Sequence, residues 1–342
     1  MLNLSKKPEE ALNFDVEGIC QFRVYGEKRF LEAVSKELYF YQIDPSKTPI
    51  TLHLEFELNP LKKFKPSQNP AHLPPYDFYA QHKLAKWVIR FEHLAQTPYR
   101  IKFYGNAFSG MILAKQIIEP ALRWFAQSLG FIFVHSTCLC HQGKGVVIAG
   151  RGGAGKTGIL LNWLKAGNPF LSDDFTILND KRVRRFITPI RLSAGILFKT
   201  GIYKNLRFSR QMEIYSRTGL RKLLFNYAKL QAKLKPEKLF PGLEIAESAE
   251  LKSVVVLDKE AQGLEPISPE QMAQVLSEIN QEESYDFPRY LLGLTERSGD
   301  ESYKNYFLNQ KERLFIFLKE VPGYRVNPRF LKISQVYSLL RG

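Results

Sequence analysis

Apolar and polar residues alternate through much of the first hundred positions. GICQFRVYG (18–26), ITLHLEFEL (50–58) and YRIKFYG (99–105) each place apolar side chains at nearly every second residue, the period of a half-buried strand. Between the last two, NPLKKFKPSQNPAHLPPYD is rich in proline and polar residues and reads as a surface loop. Residues 1–107 are therefore expected to form an N-terminal β-rich domain.

Beyond that point the period changes. Ile112, Leu113, Ile117, Leu122 and Phe125 recur at helical spacing and predict an amphipathic helix from Ser109 to Leu129, interrupted at Pro120 and ended by Gly130. FIFVHSTCL follows as a strand, and Val146 to Ala149 form a short apolar run of the kind a buried strand needs. Ile159, Leu160, Leu161 and Leu164 then give the apolar side of a helix reaching about Gly167. NPFLSDDFTIL predicts a strand ending at Asp173 and Asp174, KSVVVLDK another strand, and Pro269 to Ile279 another helix. Strands alternating with helices predict an α/β core over 108–342. A chain of 342 residues also exceeds what one hydrophobic core usually sustains, so two domains are expected.

The join between the apolar run and the helix carries the chemistry. Gly150-Arg151-Gly152-Gly153-Ala154-Gly155-Lys156-Thr157 fits G-x-x-x-x-G-K-[ST] without a mismatch, in the strand–loop–helix setting that motif requires. Glycines let consecutive backbone N–H groups turn inward around phosphate oxygens, and the helix N-terminus adds partial positive charge. In such a loop Lys156 reaches the β- and γ-phosphates and the Thr157 hydroxyl binds Mg²⁺. Asp173 lies seventeen residues past Lys156, a distance that suits one helix and a returning strand, so an acid is expected beside the metal.

Three cysteines, Cys20, Cys138 and Cys140, make no disulfide framework. His135, Cys138, Cys140 and His141 are close in sequence, but on a strand alternate residues face opposite sides, and no second ligand cluster completes a zinc site. No stretch approaches the length of an apolar membrane span, and MLNLSKKPEEALNFD has no apolar signal region; a soluble, cytoplasmic protein is expected.

The segment VHSTCLCHQGKGVVIAGRGGAGKTGILLNWLKAGNPFLSDDFTIL resembles the catalytic core of HPr kinase/phosphorylase and its kinase-like relatives. It has a His ahead of a strand, the phosphate loop, a helix ending in a Lys-x-Gly phrase, then the Asp pair. The resemblance covers residues 131 to about 178. It implies a P-loop kinase core of the type shared with phosphoenolpyruvate carboxykinases, ATP or GTP with Mg²⁺, and transfer of the γ-phosphate to a hydroxyl. By the same resemblance Asp173 is the base for that hydroxyl, His135 supports it, Lys156 and the loop hold the nucleotide, and Thr157 and Asp174 hold the metal. It also implies a homo-oligomer, since HPr kinases assemble as hexamers. The acid-containing segment that follows the Asp pair in HPr kinases and their phosphorolysis signature find no match, so phosphorylase activity is not implied.

Charge is unevenly placed. Of the net +15, the segment from Lys181 to Lys235 holds fifteen Lys or Arg against one acid, Glu213, a net +14. Within it, Leu223, Leu224, Tyr227 and Leu230 predict a basic amphipathic helix inside an insertion or lid at 181–238. Arg191 is a candidate contact for a phosphate or an acceptor anion. The expected partner is a hydroxyl-bearing acceptor, anionic or on an acidic peptide; a membrane surface or nucleic acid ranks lower, because no base-reading motif is present. Two rivals to the kinase follow from the same residues. One is a nucleotide-gated binding protein that recruits an anionic partner without transfer, and the other a carboxykinase-like enzyme, for which the further metal-binding Lys and His pattern is missing.

Overall fold

The computed structural model describes residues 10–223 and 231–341. It is a mixed α/β protein that packs as two compact units, one holding the chain up to Gly130 together with Gln281–Asn309, the other Phe131–Asn280 with Gln310–Gly342. A boundary was expected at 107. It falls at Gly130 because the helical stretch from Gly110 to Ser128 buries Leu113, Ile117, Ala121 and Phe125 within the first unit.

In the first unit a seven-stranded mixed sheet has three parallel strands at its centre, Cys20–Gly26, Leu54–Pro60 and Tyr99–Gly105. Their alternation is explicit: Phe22, Val24, Phe56, Leu58, Ile101 and Phe103 are buried. The opposite face is polar, with Arg100 paired to Glu55 at 3.0 Å and Lys102 bridging Glu57 and Glu92. The N-terminal region is not only β: Lys28–Glu37 is a helix burying Phe30, Leu31 and Val34. Pro120 interrupts its helix as a π-helical turn over Ala114–Ile118, after which a new helix, Glu119–Ser128, starts with the proline in its first turn. Proline at that point has no N–H to continue the ladder.

The second unit is built on a nine-stranded mixed sheet among the described residues. Strand Lys144–Ala149 lies at its centre, antiparallel to Ser136–His141 and parallel to Ser248–Leu257, with Gly323–Val326 parallel beyond. Both of its neighbours are buried, which is why VVIA needs no polar alternation. Cys138 and Cys140 both point into this core, and burial pushes the Cys140 thiol up to about 12. FIFVHSTCL is two strands, Ile132–Val134 and Ser136–His141, broken at His135. NPFLSDDFTIL is likewise two, Phe170–Ser172 and Thr176–Asn179, with the Asp pair in the turn between them.

The basic insertion is a short sheet and helices. Ile190–Leu192 pairs antiparallel with Ala232–Leu234, and between them come helices Ala194–Thr200 and Phe208–Leu223. Of the basic helix expected within the insertion, Phe208–Leu223 is helical among the described residues, while Ala232 and Leu234 are buried on a strand with Lys233 outside. Leu224, Tyr227 and Leu230, and the side chain of Leu223, lie outside the described residues. Lys165 Nζ donates to the Thr200 carbonyl at 3.2 Å, tying the insertion to the helix Lys156–Lys165. No helix among the described residues is long and apolar enough to cross a membrane.

Candidate active site

Topology brings the sequence candidates to one edge of the second sheet. Strands Lys144–Ala149 and Phe170–Ser172 are both antiparallel to Ser136–His141, hence parallel to each other, and their carboxyl ends emerge on the same side. The register Ala149↔Ser136 sets the residue before the glycine loop opposite the residue after His135. In α/β sheets the crevice outside the carboxyl ends of parallel strands is the usual ligand position.

The loop itself is made possible by its glycines. Gly153 and Gly155 take φ of +83° and +109°, conformations that side chains avoid, and a Cβ on Gly150 would come within 2.9 Å of the Ala154 Cβ. The helix Lys156–Lys165 starts directly after Gly155. Lys156 is only 7% exposed, and its ammonium donates to the Gly150 and Arg151 carbonyls, closing the loop from within. Arg151 is exposed, as are Gly152 and Gly153.

From the helix, the Thr157 hydroxyl donates to Asp173 Oδ2 at 3.3 Å. Asp173 is 6% exposed. Burial pushes its carboxyl up to about 6, helped by the neighbouring Asp174 and opposed by Lys156 and by hydrogen bonds from the Asp174 backbone and Thr157. Asp174 has φ of +77°, an uncommon conformation for a residue with a side chain, and its carbonyl accepts from Ser136 N at 3.1 Å. That strained turn aims the two acids differently: Asp173 toward Thr157, and Asp174 Oδ1 toward His135 Nδ1 at 3.4 Å. Five candidates, His135, Lys156, Thr157, Asp173 and Asp174, thus form one connected cluster. Arg191 is placed elsewhere, on the short sheet of the insertion opposite Lys233.

Two supports were not foreseen in the sequence. Asn280, 1% exposed at the end of helix Pro269–Glu282, spans the strand break: its Oδ1 accepts from His135 N at 2.8 Å and its Nδ2 donates to the Phe133 carbonyl and to Gln310 Oε1, both at 2.9 Å. Below the acid turn runs a buried chain of hydroxyls, in which Ser136 donates to Thr176 at 2.9 Å and Thr176 meets Ser172 at 2.6 Å, while Thr137 donates to the Ser172 carbonyl. The visible signal was small: an amide on the apolar side of a helix beside Met272, Ala273, Leu276 and Ile279, and hydroxyl residues at buried strand positions.

Chemically, the cluster combines a ring of backbone amides, a buried ammonium, a hydroxyl, one carboxyl poised near neutrality and a second carboxyl beside an imidazole. Compared with known proteins, the chain matches no family model and no curated protein.

Proposed function

We propose that the chain is an ATP- or GTP-dependent kinase of the HPr kinase-like type, which moves the γ-phosphoryl group to a hydroxyl acceptor with Mg²⁺ as its metal. One observation carries this reading: the glycine loop and the acid turn meet through Thr157 and Asp173 at 3.3 Å, at the carboxyl ends of parallel strands. A glycine turn with only structural work needs neither a buried ammonium nor a buried carboxyl beside it, because each costs desolvation. The resemblance of residues 131–178 to the catalytic core of HPr kinases supports the same conclusion.

The residues fit the groups this chemistry needs. Gly150 to Thr157 offer amides to the phosphates, with Lys156 exchanging its loop carbonyls for phosphate oxygens. Thr157 and, by the resemblance to HPr kinases, Asp174 would hold Mg²⁺, a cation that keeps several waters and takes only one or two carboxylates from the protein; the Thr157 hydroxyl itself lies against Asp173. When bound, that ion neutralises charge on the β- and γ-oxygens. Asp173, its carboxyl raised to about 6, takes the acceptor's proton. The acceptor oxygen then bonds to the γ-phosphorus as the bond to the β–γ bridging oxygen breaks. His135 holds Asp174 in place from the strand break. The acceptor is a peptide serine or a small metabolite, anionic, drawn in by the insertion at 181–238. We take the protein to work in the cytoplasm, where nucleotide is abundant and its three free, buried cysteines stay reduced.

The test uses γ-labelled ATP and GTP with a cell extract. Wild type is expected to label an acceptor, and Asp173→Asn to bind nucleotide without labelling it. Nucleotide binding with neither labelling nor hydrolysis in wild type would instead favour a nucleotide-gated binding protein.

A further inference from the structure

The basic insertion exposes more than charge. Its helix Phe208–Leu223 buries Ile214, while Phe208 and Met212 on the other side are 75% and 50% exposed. With Tyr215 they stand at i, i+4 and i+7, one stripe along the helix. The Tyr215 ring lies 5.6 Å from that of Phe198, itself 57% exposed on the helix Ala194–Thr200, and Phe198 lies 5.5 Å from Tyr203. Two helices thus share one contiguous apolar surface, which a monomeric protein rarely leaves bare. Lys199, Lys204 and Arg207 flank it, all exposed and none in an ion pair among the described residues.

We infer that this face docks an acidic peptide segment carrying apolar anchors, the anchors seating on Phe198, Phe208, Met212 and Tyr215 and the acids on the flanking cations. The inference deepens the proposed recruitment of an anionic acceptor; it rests on the kinase reading only in identifying the docked peptide as that acceptor. A phosphorylated metabolite would use the cations but has no need of the stripe. An anionic bilayer offers both chemistries, yet a helix lying in it requires a broad apolar face. Here the side beyond Met212 carries Ser209, Ser216 and Glu213, and Glu213 is paired to both Arg210 and Arg217. Insertion into acyl chains would bury that ionic network, whereas a peptide leaves it at the rim. A short amphipathic segment presenting apolar residues at i, i+4 and i+7 matches the stripe in length and period.

The experiment presents the full-length protein to an array of fifteen-residue peptides of graded glutamate content, down to a glutamate-free neutral control, with Leu and Phe at i, i+4 and i+7, at scrambled positions, or replaced by Ser. Vesicles of phosphatidylcholine with phosphatidylserine are tested in parallel. Binding is expected to need both acid and ordered apolar residues, to weaken as salt rises, and to fall at least tenfold for Phe208→Ser with Met212→Ser. That variant should keep its nucleotide-dependent thermal shift, which separates this outcome from failure of the nucleotide site. Binding that follows glutamate content alone, capture of vesicles but no peptide, or no peptide signal above a neutral control would each overturn the inference.

Discussion

Asp173 is a carboxyl held where its charged form is least favoured. Its value in the fold is about 6 against an ordinary 3.8, so folding favours the protonated group. The stability this contributes is complete below the ordinary value and is lost as pH rises through about 6. Ionised Asp173 should therefore cost on the order of 3 kcal/mol near pH 8, taking 1.36 kcal/mol per pKa unit. Asp173→Asn should then be more stable than wild type at about pH 8 in denaturant unfolding, with the gap closing toward about pH 4. A gap independent of pH would mean that the carboxyl is not raised. Its neighbour separates the two roles: Asp174→Asn should mainly weaken the response to Mg²⁺, and Asp173→Asn mainly transfer. Small, equal effects from both would reduce the pair to a structural turn. Lys156 makes a third case. Wild type at a hundredfold excess of nucleotide over its dissociation constant should gain about 2.7 kcal/mol, and Lys156→Ala should lose that gain.

At the scale of elements, the loop and the strand break decide the geometry. Gly155 sits at φ +109° with Pro328 3.6 Å from where a Cβ would be, so Gly155→Ala should cost about 1 kcal/mol or more in stability and weaken nucleotide binding further. Asn280→Leu strips partners from the buried His135 N–H and Phe133 carbonyl and should cost about 2–4 kcal/mol, whereas an exposed neighbour such as Gln281→Leu should change little. These elements were only partly legible. The eight-residue loop and its flanking strand and helix were visible because the glycines, Lys156 and the apolar run all agree in one short window. The break at His135 was hidden, because FIFVHSTCL is apolar on both sides and the interruption is enforced by Asn280, distant in sequence. Asp174 was assigned to a strand end for a related reason: its positive φ is fixed by contact with Ser136, not by a local turn signal. The hairpin strands Tyr76–His82 and Ala85–Phe91 are obscured in the sequence by the proline-rich loop that runs into them; they pair with each other, and Ala85–Phe91 pairs in turn with Tyr99–Gly105.

For the whole molecule, charge placement makes the strongest statement. A net +14 within 181–235 leaves the remainder of the chain close to neutral, so the field is local and aimed. Neutralising Arg217, Arg221, Lys222, Lys229 and Lys233 together should leave basal nucleotide hydrolysis nearly unchanged while raising KM for the acceptor. Acceptor binding to wild type should weaken with salt, since exposed charges are screened within about 8 Å at physiological ionic strength. Unchanged KM at low salt would make the segment a solvated face. Phosphoryl transfer at the junction of loop and acid turn is the central step of the proposed function. Its most direct measurement is the label passed from γ-labelled nucleotide by purified wild type and by Asp173→Asn, with nucleotide binding followed by thermal shift in the same samples. The account predicts binding by both proteins and a labelled hydroxyl acceptor from wild type alone; label passed equally by both, or no thermal shift with any nucleotide and Mg²⁺, would contradict it.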